Sequence, residues 1–225
     1  MSNLFQRIIT SVILLFILLI TLFFNKYIWL FGLILVSLVL FIEFNNLTKK
    51  IWKNKKNIIT SLNTFSLLFL VILIYVSYES YYMPPIGLVF IISICIFSDT
   101  GGYIVGNLIG GRKLTKISPN KTISGAAGSI IFTILGSPMF VYFLKKFDEV
   151  SISLEISAKI YIWFLMMSIF CQVGDLLISY LKRKAKVEDT GAILPGHGGI
   201  LDRVDGIIFA IPLGVLAFFL LELNV

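Results

Sequence analysis

Long apolar runs alternate with short polar segments along the whole chain. Each run approaches the roughly 20 mostly apolar residues that a helix needs to cross a bilayer. The pattern therefore predicts an all-α polytopic membrane protein of about seven transmembrane helices, which we place at residues 7–24, 27–44, 58–77, 86–109, 123–144, 160–180 and 204–223. Asn25 and Lys26 lead straight from the first run into the second, so we expect an uncleaved hairpin and no removed leader.

The composition excludes an ordinary soluble domain. Hydrophobic residues make up 58% of the 225 positions, and the mean hydropathy is +0.97. Soluble domains contain about 45–50% apolar residues. Cys95 and Cys171 both fall inside apolar runs without metal-ligand spacing, so we expect them to be small buried side chains.

Basic residues lie mostly on one predicted side of the membrane. They gather near residue 7 and in the segments 45–57, 110–122 and 181–203, and the net charge is +7. Positive loops favour the cytosol, which predicts a cytosolic N-terminus and an outside C-terminus. A small basic chain with this topology fits a bacterial inner membrane. The preference of basic loops for the cytosol is enough to explain the lysines of segment 45–57. It is a weaker explanation for the other two basic segments, because they adjoin intramembrane carboxylates and glycines.

The two halves of the chain differ in chemistry. The first three spans are rich in Leu, Ile and Phe, with Glu43 near the cytosolic end of the second. From Ser98 onward the spans acquire Asp, Gly, Ser and Gln. We therefore predict a transmembrane scaffold at 1–97 and a catalytic transmembrane region at 98–225.

One face of the sixth span is polar. Ser168, Gln172, Asp175 and Ser179 are separated by steps of 4, 3 and 4, which places them on one side of a helix. A carboxylate in a bilayer costs at least ~2.5 kcal/mol on insertion scales. Asp175 must therefore face a bundle interior, a cation or a wet cavity, although a helix-packing hydrogen bond is the plainer alternative.

The fourth span combines a carboxylate with regularly spaced glycines. Asp99 is a second intramembrane acid that we expect to face the site. Gly102, Gly106 and Gly110 recur every four residues, a stripe that lets another helix approach closely.

The loop after this span ends in Lys121 and Thr122 at the start of the fifth span. A helix N-terminus fronted by a lysine can cradle a phosphate, although the loop lacks a Walker pattern.

The seventh span starts next to a glycine-rich segment that contains the only histidine, His197. Gly198 and Gly199 would let a ligand approach the backbone closely. Asp202 and Asp205 share one face of the first helical turn. Capping explains one of these two carboxylates but not both.

Together these features predict a charged site at the cytosolic boundary. Hard divalent cations such as Mg²⁺ bind carboxylates and substrate phosphates, while basic side chains neutralise the remaining phosphate oxygens. No serine or cysteine nucleophile with an adjacent base is evident, which favours direct displacement. The acidic core would be Asp175, Asp202 and Asp205, and the basic rim Lys121, Lys182, Arg183 and Arg203.

The same residues resemble a known signature. The signature begins with Ser179–Arg183 and continues through residues 188–205, which include Pro195-Gly196-His197-Gly198-Gly199 and Asp202-Arg203-Val204-Asp205. This stretch resembles the phosphatidate cytidylyltransferase (CDP-diacylglycerol synthase) family. The segments 99–103 and 117–122 also resemble parts of that family. The resemblance covers about residues 98–206, while the N-terminal half agrees only in being multispan.

This resemblance implies that CTP and phosphatidate give CDP-diacylglycerol and pyrophosphate with Mg²⁺, a second cation being left open. It implies Asp175 and Asp202 as metal ligands, CTP arriving from the cytosol, and phosphatidate entering laterally from the inner leaflet. We expect the bilayer as surroundings, no nucleic-acid partner, and leave a homodimer open. Catalytic roles are expected for Asp175, Asp202, Asp205, His197, Lys182 and Arg183; substrate contacts are expected for Asp99, Lys121, Thr122, Ser179, Asp189, Gly198, Gly199 and Arg203.

Two positions depart from the family pattern, and two other functions stay open. Glu188 replaces the usual lysine, and Ser124 stands where glutamate is expected after Lys121-Thr122. A CTP-dependent kinase of polyprenol or dolichol type would use a hydroxyl acceptor instead of a phosphate. An ion-coupled transporter would also explain intramembrane carboxylates, although no internal repeat is evident and the acids gather at one boundary.

Overall fold

The computed structural model describes residues 3–79, 86–147, 157–221 and 223. Within them the chain forms seven α-helices, which confirms the predicted all-α membrane architecture. Six are long and apolar enough to cross a membrane, and the apolar part of the first, Ile9–Phe24, is shorter. The helices are α1 (Asn3–Phe24), α2 (Lys26–Ile51), α3 (Lys56–Glu79), α4 (Ile86–Ile109), α5 (Ile123–Phe147), α6 (Ala158–Ala185) and α7 (Leu201–Leu220).

Two helices continue well beyond the apolar runs that predicted them. α2 ends at Ile51 instead of residue 44, and α6 ends at Ala185 instead of residue 180. An apolar run measures the thickness of the hydrocarbon layer, whereas a helix continues through polar residues until its backbone conformation changes. The extension places Lys182, Arg183 and Lys184 in the last turn of α6, where cations are stabilised by the helix dipole.

The chain divides into two compact units, and the division differs from the predicted functional halves at 1–97 and 98–225. The first unit comprises Met1–Pro85 and Ile178–Asp205, and the second comprises Ile86–Leu177 and Gly206–Val225. The assignment of scaffold and catalytic roles to the two halves stays a prediction.

In the first unit, α2 packs against both α1 and α3. The contact with α3 includes a hydrogen bond from the Trp29 indole to the Ser77 carbonyl at 3.2 Å. At the end of α6, the Lys184 ammonium lies over the rings of Trp52, at 4.7 Å, and Tyr180, at 5.6 Å. The contact with Trp52 ties the last turn of α6 to the turn that follows α2, whereas that with Tyr180 lies within α6.

In the second unit, glycines allow α4 and α5 to approach closely. A Cβ on Gly102 would lie 2.6 Å from the Ser129 hydroxyl, and one on Gly106 would lie 3.1 Å from Thr122 Oγ1. The predicted packing role is therefore confirmed for these two glycines. Gly110 differs, because it has no neighbour there and a φ of +64° at the end of α4. Such a left-handed residue ends a helix.

We expect Gly128→Ala to destabilise this helix pair by about 1–3 kcal/mol, the usual cost of overpacking. Its Cβ would collide with the Val105 side chain and lie 2.8 Å from the Gly101 carbonyl oxygen. Unfolding of the detergent-purified protein would measure the loss. Gly32→Ala in α2 is the matched control, because its Cβ would meet Thr21 at an ordinary 3.4 Å. Equal stability in the two variants would contradict the packing assignment.

The interior of the second unit also holds the two cysteines. Cys95 and Cys171 are buried, with 2% and 1% of their surface exposed, as expected from their apolar surroundings. In the same unit, the hydroxyls of Ser98 and Ser168 are 3.0 Å apart, and Gln172 donates to Ser168 at 3.2 Å. The polar face predicted for α6 thus contacts α4 through a buried hydrogen-bond chain.

Candidate active site

A tight turn lies in the connection between α6 and α7. The Leu194 N–H donates to the Gly198 carbonyl at 2.9 Å, and the His197 N–H donates to the Leu194 carbonyl at 3.0 Å. Gly196 and Gly198 have φ values of 74° and 82°, a region that other residues adopt only with strain. The two glycines are therefore required by the turn itself.

Asp202, in the first turn of α7, accepts several hydrogen bonds from this connection and from the end of α6. Its side chain is 4% exposed, and Oδ1 accepts from the Lys182 ammonium at 2.7 Å. Oδ2 accepts from the backbone N–H groups of Thr190, at 2.8 Å, and Gly199, at 3.0 Å. The Thr190 hydroxyl lies 3.0 Å from the same oxygen. The structure thus brings together the predicted residues Lys182, Gly199 and Asp202.

A second carboxylate, which the sequence analysis did not assign to the site, holds the same connection. Glu43 of α2 is 2% exposed and accepts from the N–H groups of Ile200, at 3.0 Å, and Leu201, at 2.8 Å. The Thr190 hydroxyl lies 2.9 Å from Glu43 Oε2. The only signal in the sequence is an isolated acid in an apolar helix, which does not reveal partners so distant along the chain.

His197 and Arg203 line a cavity of about 350 Å³ beside the turn, together with Asp189 and the backbone of 194–198. The Arg203 guanidinium donates to the His197 carbonyl through Nε, at 3.2 Å, and Nη2, at 2.8 Å. A hydrogen bond of 3.3 Å joins His197 Nε2 to the Ser11 hydroxyl of α1. His197 Nδ1 is buried without a hydrogen-bond partner among the described residues. The cavity therefore offers the Arg203 cation to a ligand, whereas His197 Nδ1 is enclosed by the protein.

The second unit contains a separate charged cluster. The Lys121 ammonium forms a salt bridge with Asp175 Oδ2, and Asp99 of α4 interacts electrostatically with both of these residues. About 30% of the Lys121 and Asp175 side chains is exposed. Three of the predicted site residues therefore lie together.

Thr122 caps the helix that follows Lys121. Its hydroxyl accepts from the Gly125 N–H at 3.0 Å, the usual role of threonine before a helix. Ser124, which departs from the family pattern, donates to the Gly110 carbonyl and lies 3.0 Å from the Thr122 hydroxyl. Ser124 thus closes the connection between α4 and α5, and the predicted phosphate contact of Thr122 stays a prediction.

The remaining predicted residues differ in exposure. Arg183 and Asp189 are exposed, whereas Ser179 and Asp205 are half-buried on α6 and α7. Gly199 is buried and does not line the cavity. The described residues contain no group of three or more His, Cys, Asp or Glu placed to hold a metal ion. Asp175 and Asp202 belong to different compact units, so their predicted sharing of a metal stays a prediction.

Comparison with known proteins places these residues in a family context. The model of the cytidylyltransferase family matches residues 82–221, which include Asp99, Lys121 and the whole connection between α6 and α7. The phosphatidate cytidylyltransferase of Bacillus subtilis (strain 168) is 41% identical over 145 residues, or 61% of this chain and 49% of that protein. The phosphatidate cytidylyltransferase of Staphylococcus haemolyticus (strain JCSC1435) is 44% identical over 122 residues, or 52% of this chain and 42% of that protein.

A third relative, the phosphatidate cytidylyltransferase of Helicobacter pylori (strain J99 / ATCC 700824), is 41% identical over 137 residues. The match covers 60% of this chain and 48% of that protein. The chain thus spans about half the length of the curated relatives that it matches. Glu43 lies outside the residues matched by the family model.

Proposed function

Because the chain belongs to the cytidylyltransferase family, we propose that it forms CDP-diacylglycerol and pyrophosphate from CTP and phosphatidate. The observation that carries this proposal is the family match across 82–221, which contains the charged residues of both compact units. The names of the relatives give the lipid acceptor. The reaction belongs to phospholipid biosynthesis.

The proposed chemistry is a direct displacement at phosphorus. A phosphate oxygen of phosphatidate attacks the α-phosphorus of CTP, and the bond from that phosphorus to the bridging oxygen of the β-phosphate breaks. Pyrophosphate leaves with the bonding electron pair, so no covalent enzyme intermediate is needed. Such a transfer depends on positioning and on neutralising phosphate charge.

The first unit supplies cations on a preorganised loop. Arg203 uses two of its five N–H donors on the His197 carbonyl, which leaves the others for phosphate oxygens in the cavity. The His197 carbonyl accepts from Arg203 and so holds the guanidinium in place, which supports a positioning role for His197. Lys182 is held against Asp202 at 2.7 Å, so a phosphate that binds Lys182 must share it with this carboxylate.

The second unit supplies oxygen ligands that fit magnesium. Mg²⁺ usually takes one or two carboxylates plus substrate phosphates, and Asp99 and Asp175 are two neighbouring carboxylates. Mg²⁺ held by these residues would neutralise charge on the triphosphate. Lys121, paired with Asp175, would bind a further phosphate oxygen. The predicted participation of Asp202 as a metal ligand, and of a second cation, belongs to the same proposal.

The proposed reaction takes place at the cytosolic face of a bacterial inner membrane. Basic residues favour the cytosol, and this places the connection between α6 and α7, with its cations, on that side. CTP is a cytosolic solute, whereas phosphatidate reaches the site from the inner leaflet. The six apolar helices keep the protein in the bilayer where its lipid substrate is.

Purified protein in mixed micelles should convert CTP and phosphatidate to a lipid-linked CMP when Mg²⁺ is present. Two samples of CTP are used, one labelled at the α-phosphate and one at the γ-phosphate. Transfer of only the α-label to lipid, with release of an equal amount of pyrophosphate, is the expected result. Transfer of the γ-label would instead support the polyprenol-type kinase. Absence of turnover combined with solute movement across vesicles would support a transporter.

Arg203→Ala should raise the KM for CTP roughly ten- to a hundredfold, because a hydrogen bond to a charged group contributes about 1.5–3 kcal/mol. Steady-state kinetics at saturating phosphatidate would measure this change, and excess Mg²⁺ should not reverse it. Lys53→Ala is the control, since Lys53 is exposed in the turn after α2 and does not line the cavity. A similar rise in KM for both variants would reject a specific contact between Arg203 and CTP.

A further inference from the structure

Glu43 has a set of partners that a lipid-facing helix does not explain. Its carboxylate is buried, and its described donors all come from one segment, residues 190–201. We propose that Glu43 is a positioning residue that fixes this segment and, through Thr190, the carboxylate of Asp202. The effect of Glu43 on catalysis rests on the proposed function, whereas its role in fixing residues 190–201 does not.

Glu43 satisfies backbone donors at the start of α7. The N–H groups of Ile200 and Leu201 lie at a helix start, where backbone donors lack partners within the helix. Glu43 accepts from both of these groups, at 3.0 and 2.8 Å. An anion at this end is also stabilised by the helix dipole. The position of the first turn of α7, which carries Asp202, is therefore fixed by a side chain of α2.

Two glycines are packed against the same carboxylate. A Cβ on Gly191 would lie 2.7 Å from Glu43 Oε1, and one on Gly199 would lie 2.5 Å from Oε2. Neither side chain could be added unless Glu43 moved. The absence of side chains at these positions thus accommodates the carboxylate, which is enclosed by backbone from both ends of the segment.

Thr190 links Glu43 to Asp202. The Thr190 hydroxyl lies 2.9 Å from Glu43 Oε2 and 3.0 Å from Asp202 Oδ2, and the Thr190 N–H donates to Asp202 at 2.8 Å. The single hydroxyl hydrogen can be donated to either carboxylate, so Thr190 bridges them. Loss of Glu43 would free Thr190 and change the position of Asp202 and of the cavity wall that carries His197.

Two measurements on Glu43→Gln test the proposal. The variant keeps the size of the side chain but presents an NH₂ group to partners that are themselves donors. The first measurement labels Leu194→Cys with a membrane-impermeant maleimide, since Leu194 is 8% exposed and should react slowly. Adding Glu43→Gln should speed labelling at least about fivefold, because the segment opens more often. The background from buried Cys95 and Cys171 is measured without the Leu194 substitution.

The second measurement is the kinetics of CTP use. Glu43→Gln should raise the KM for CTP and lower kcat, with kcat/KM reduced about tenfold or more, because small displacements of substrate-positioning groups are costly. Glu79→Gln is the matched control, since Glu79 is an exposed acid at the end of α3. This control should change neither the labelling nor the kinetics. Thr190→Val should also speed labelling and lower kcat/KM, but by smaller factors than Glu43→Gln. It replaces Glu43→Gln as the test if that variant does not accumulate in the membrane.

The outcomes separate this proposal from the proposed function. Unchanged labelling in Glu43→Gln would overturn the role of Glu43, whatever the enzyme does. If kcat in Glu43→Gln fell only as much as the amount of folded protein did, and the KM for CTP were unchanged, Glu43 would not position catalytic groups. It would then contribute only to stability. Faster labelling in a protein whose wild type forms no lipid-linked CMP would instead reject the proposed function, and the role in holding the segment would stand.

Discussion

Asp202→Asn is expected to lower turnover about a thousandfold, at the upper end of what removal of one preorganised electrostatic group costs. Asparagine has one acceptor oxygen where Asp202 uses two. Its NH₂ group must face either the Lys182 ammonium or the N–H groups of Thr190 and Gly199. Either orientation leaves donors facing donors, so the connection loses the geometry that holds Lys182. CTP-dependent formation of lipid-linked CMP would measure the loss.

A double variant distinguishes the two possible reasons for that loss. If Asp202 only pairs with Lys182, then Lys182→Met combined with Asp202→Asn should be as active as Lys182→Met alone. We expect the double variant to be less active than Lys182→Met alone, because the contacts with Thr190 and Gly199 are also lost. Equal amounts of membrane-inserted protein must be compared. Activity of Asp202→Asn within a factor of about two of wild type, far below the loss expected for such a group, would remove Asp202 from the mechanism.

Asp175→Asn is expected to lower turnover by a similar factor, about a thousandfold. The substitution preserves shape but removes the negative charge that pairs with Lys121 and neighbours Asp99. In the proposed function it also removes a ligand for Mg²⁺, so raising the Mg²⁺ concentration should recover little activity. The assay with α-labelled CTP would measure turnover across a range of Mg²⁺ concentrations.

Ser168→Ala provides the matched control on the same face of α6. Ser168 is fully buried and bonded to Ser98 and Gln172, but it lies away from the Lys121–Asp175 pair. Its loss should cost about 1 kcal/mol of stability, with turnover kept within a factor of about three. If Asp175→Asn behaved like Ser168→Ala, the carboxylate would have a packing role only, which was the plainer interpretation of this helix face.

The existence of the helices could be predicted from the sequence, whereas their ends and their long-range contacts could not. Apolar runs locate spans because lipid requires about 20 consecutive apolar residues. The same signal misses the last turns of α2 and α6, which are polar yet helical. Glycine spacing predicted the approach of α4 and α5 at Gly102 and Gly106, but Gly110 had the same spacing and serves to end α4.

Within the site, charged residues could be recognised but their partners could not. The pairing of Lys121 with Asp175 joins positions 54 apart, and that of Glu43 with Thr190 joins positions 147 apart. No local pattern encodes such contacts, because they depend on how helices pack. The sequence therefore identified Asp175, His197, Asp202 and Arg203 as candidates and did not identify Glu43, whose only local feature is its isolation in an apolar helix.

The distance along the chain between Glu43 and Thr190 has a consequence for biosynthesis. The 147 positions that separate them take about 7–30 s to synthesise at roughly 5–20 residues per second. During this interval α2 leaves the ribosome without the donors that later surround its carboxylate, and an unpaired charge on an apolar helix is unfavourable in lipid. Nascent chains that stop before residue 190 should therefore be retained by the insertion machinery or degraded by membrane proteases.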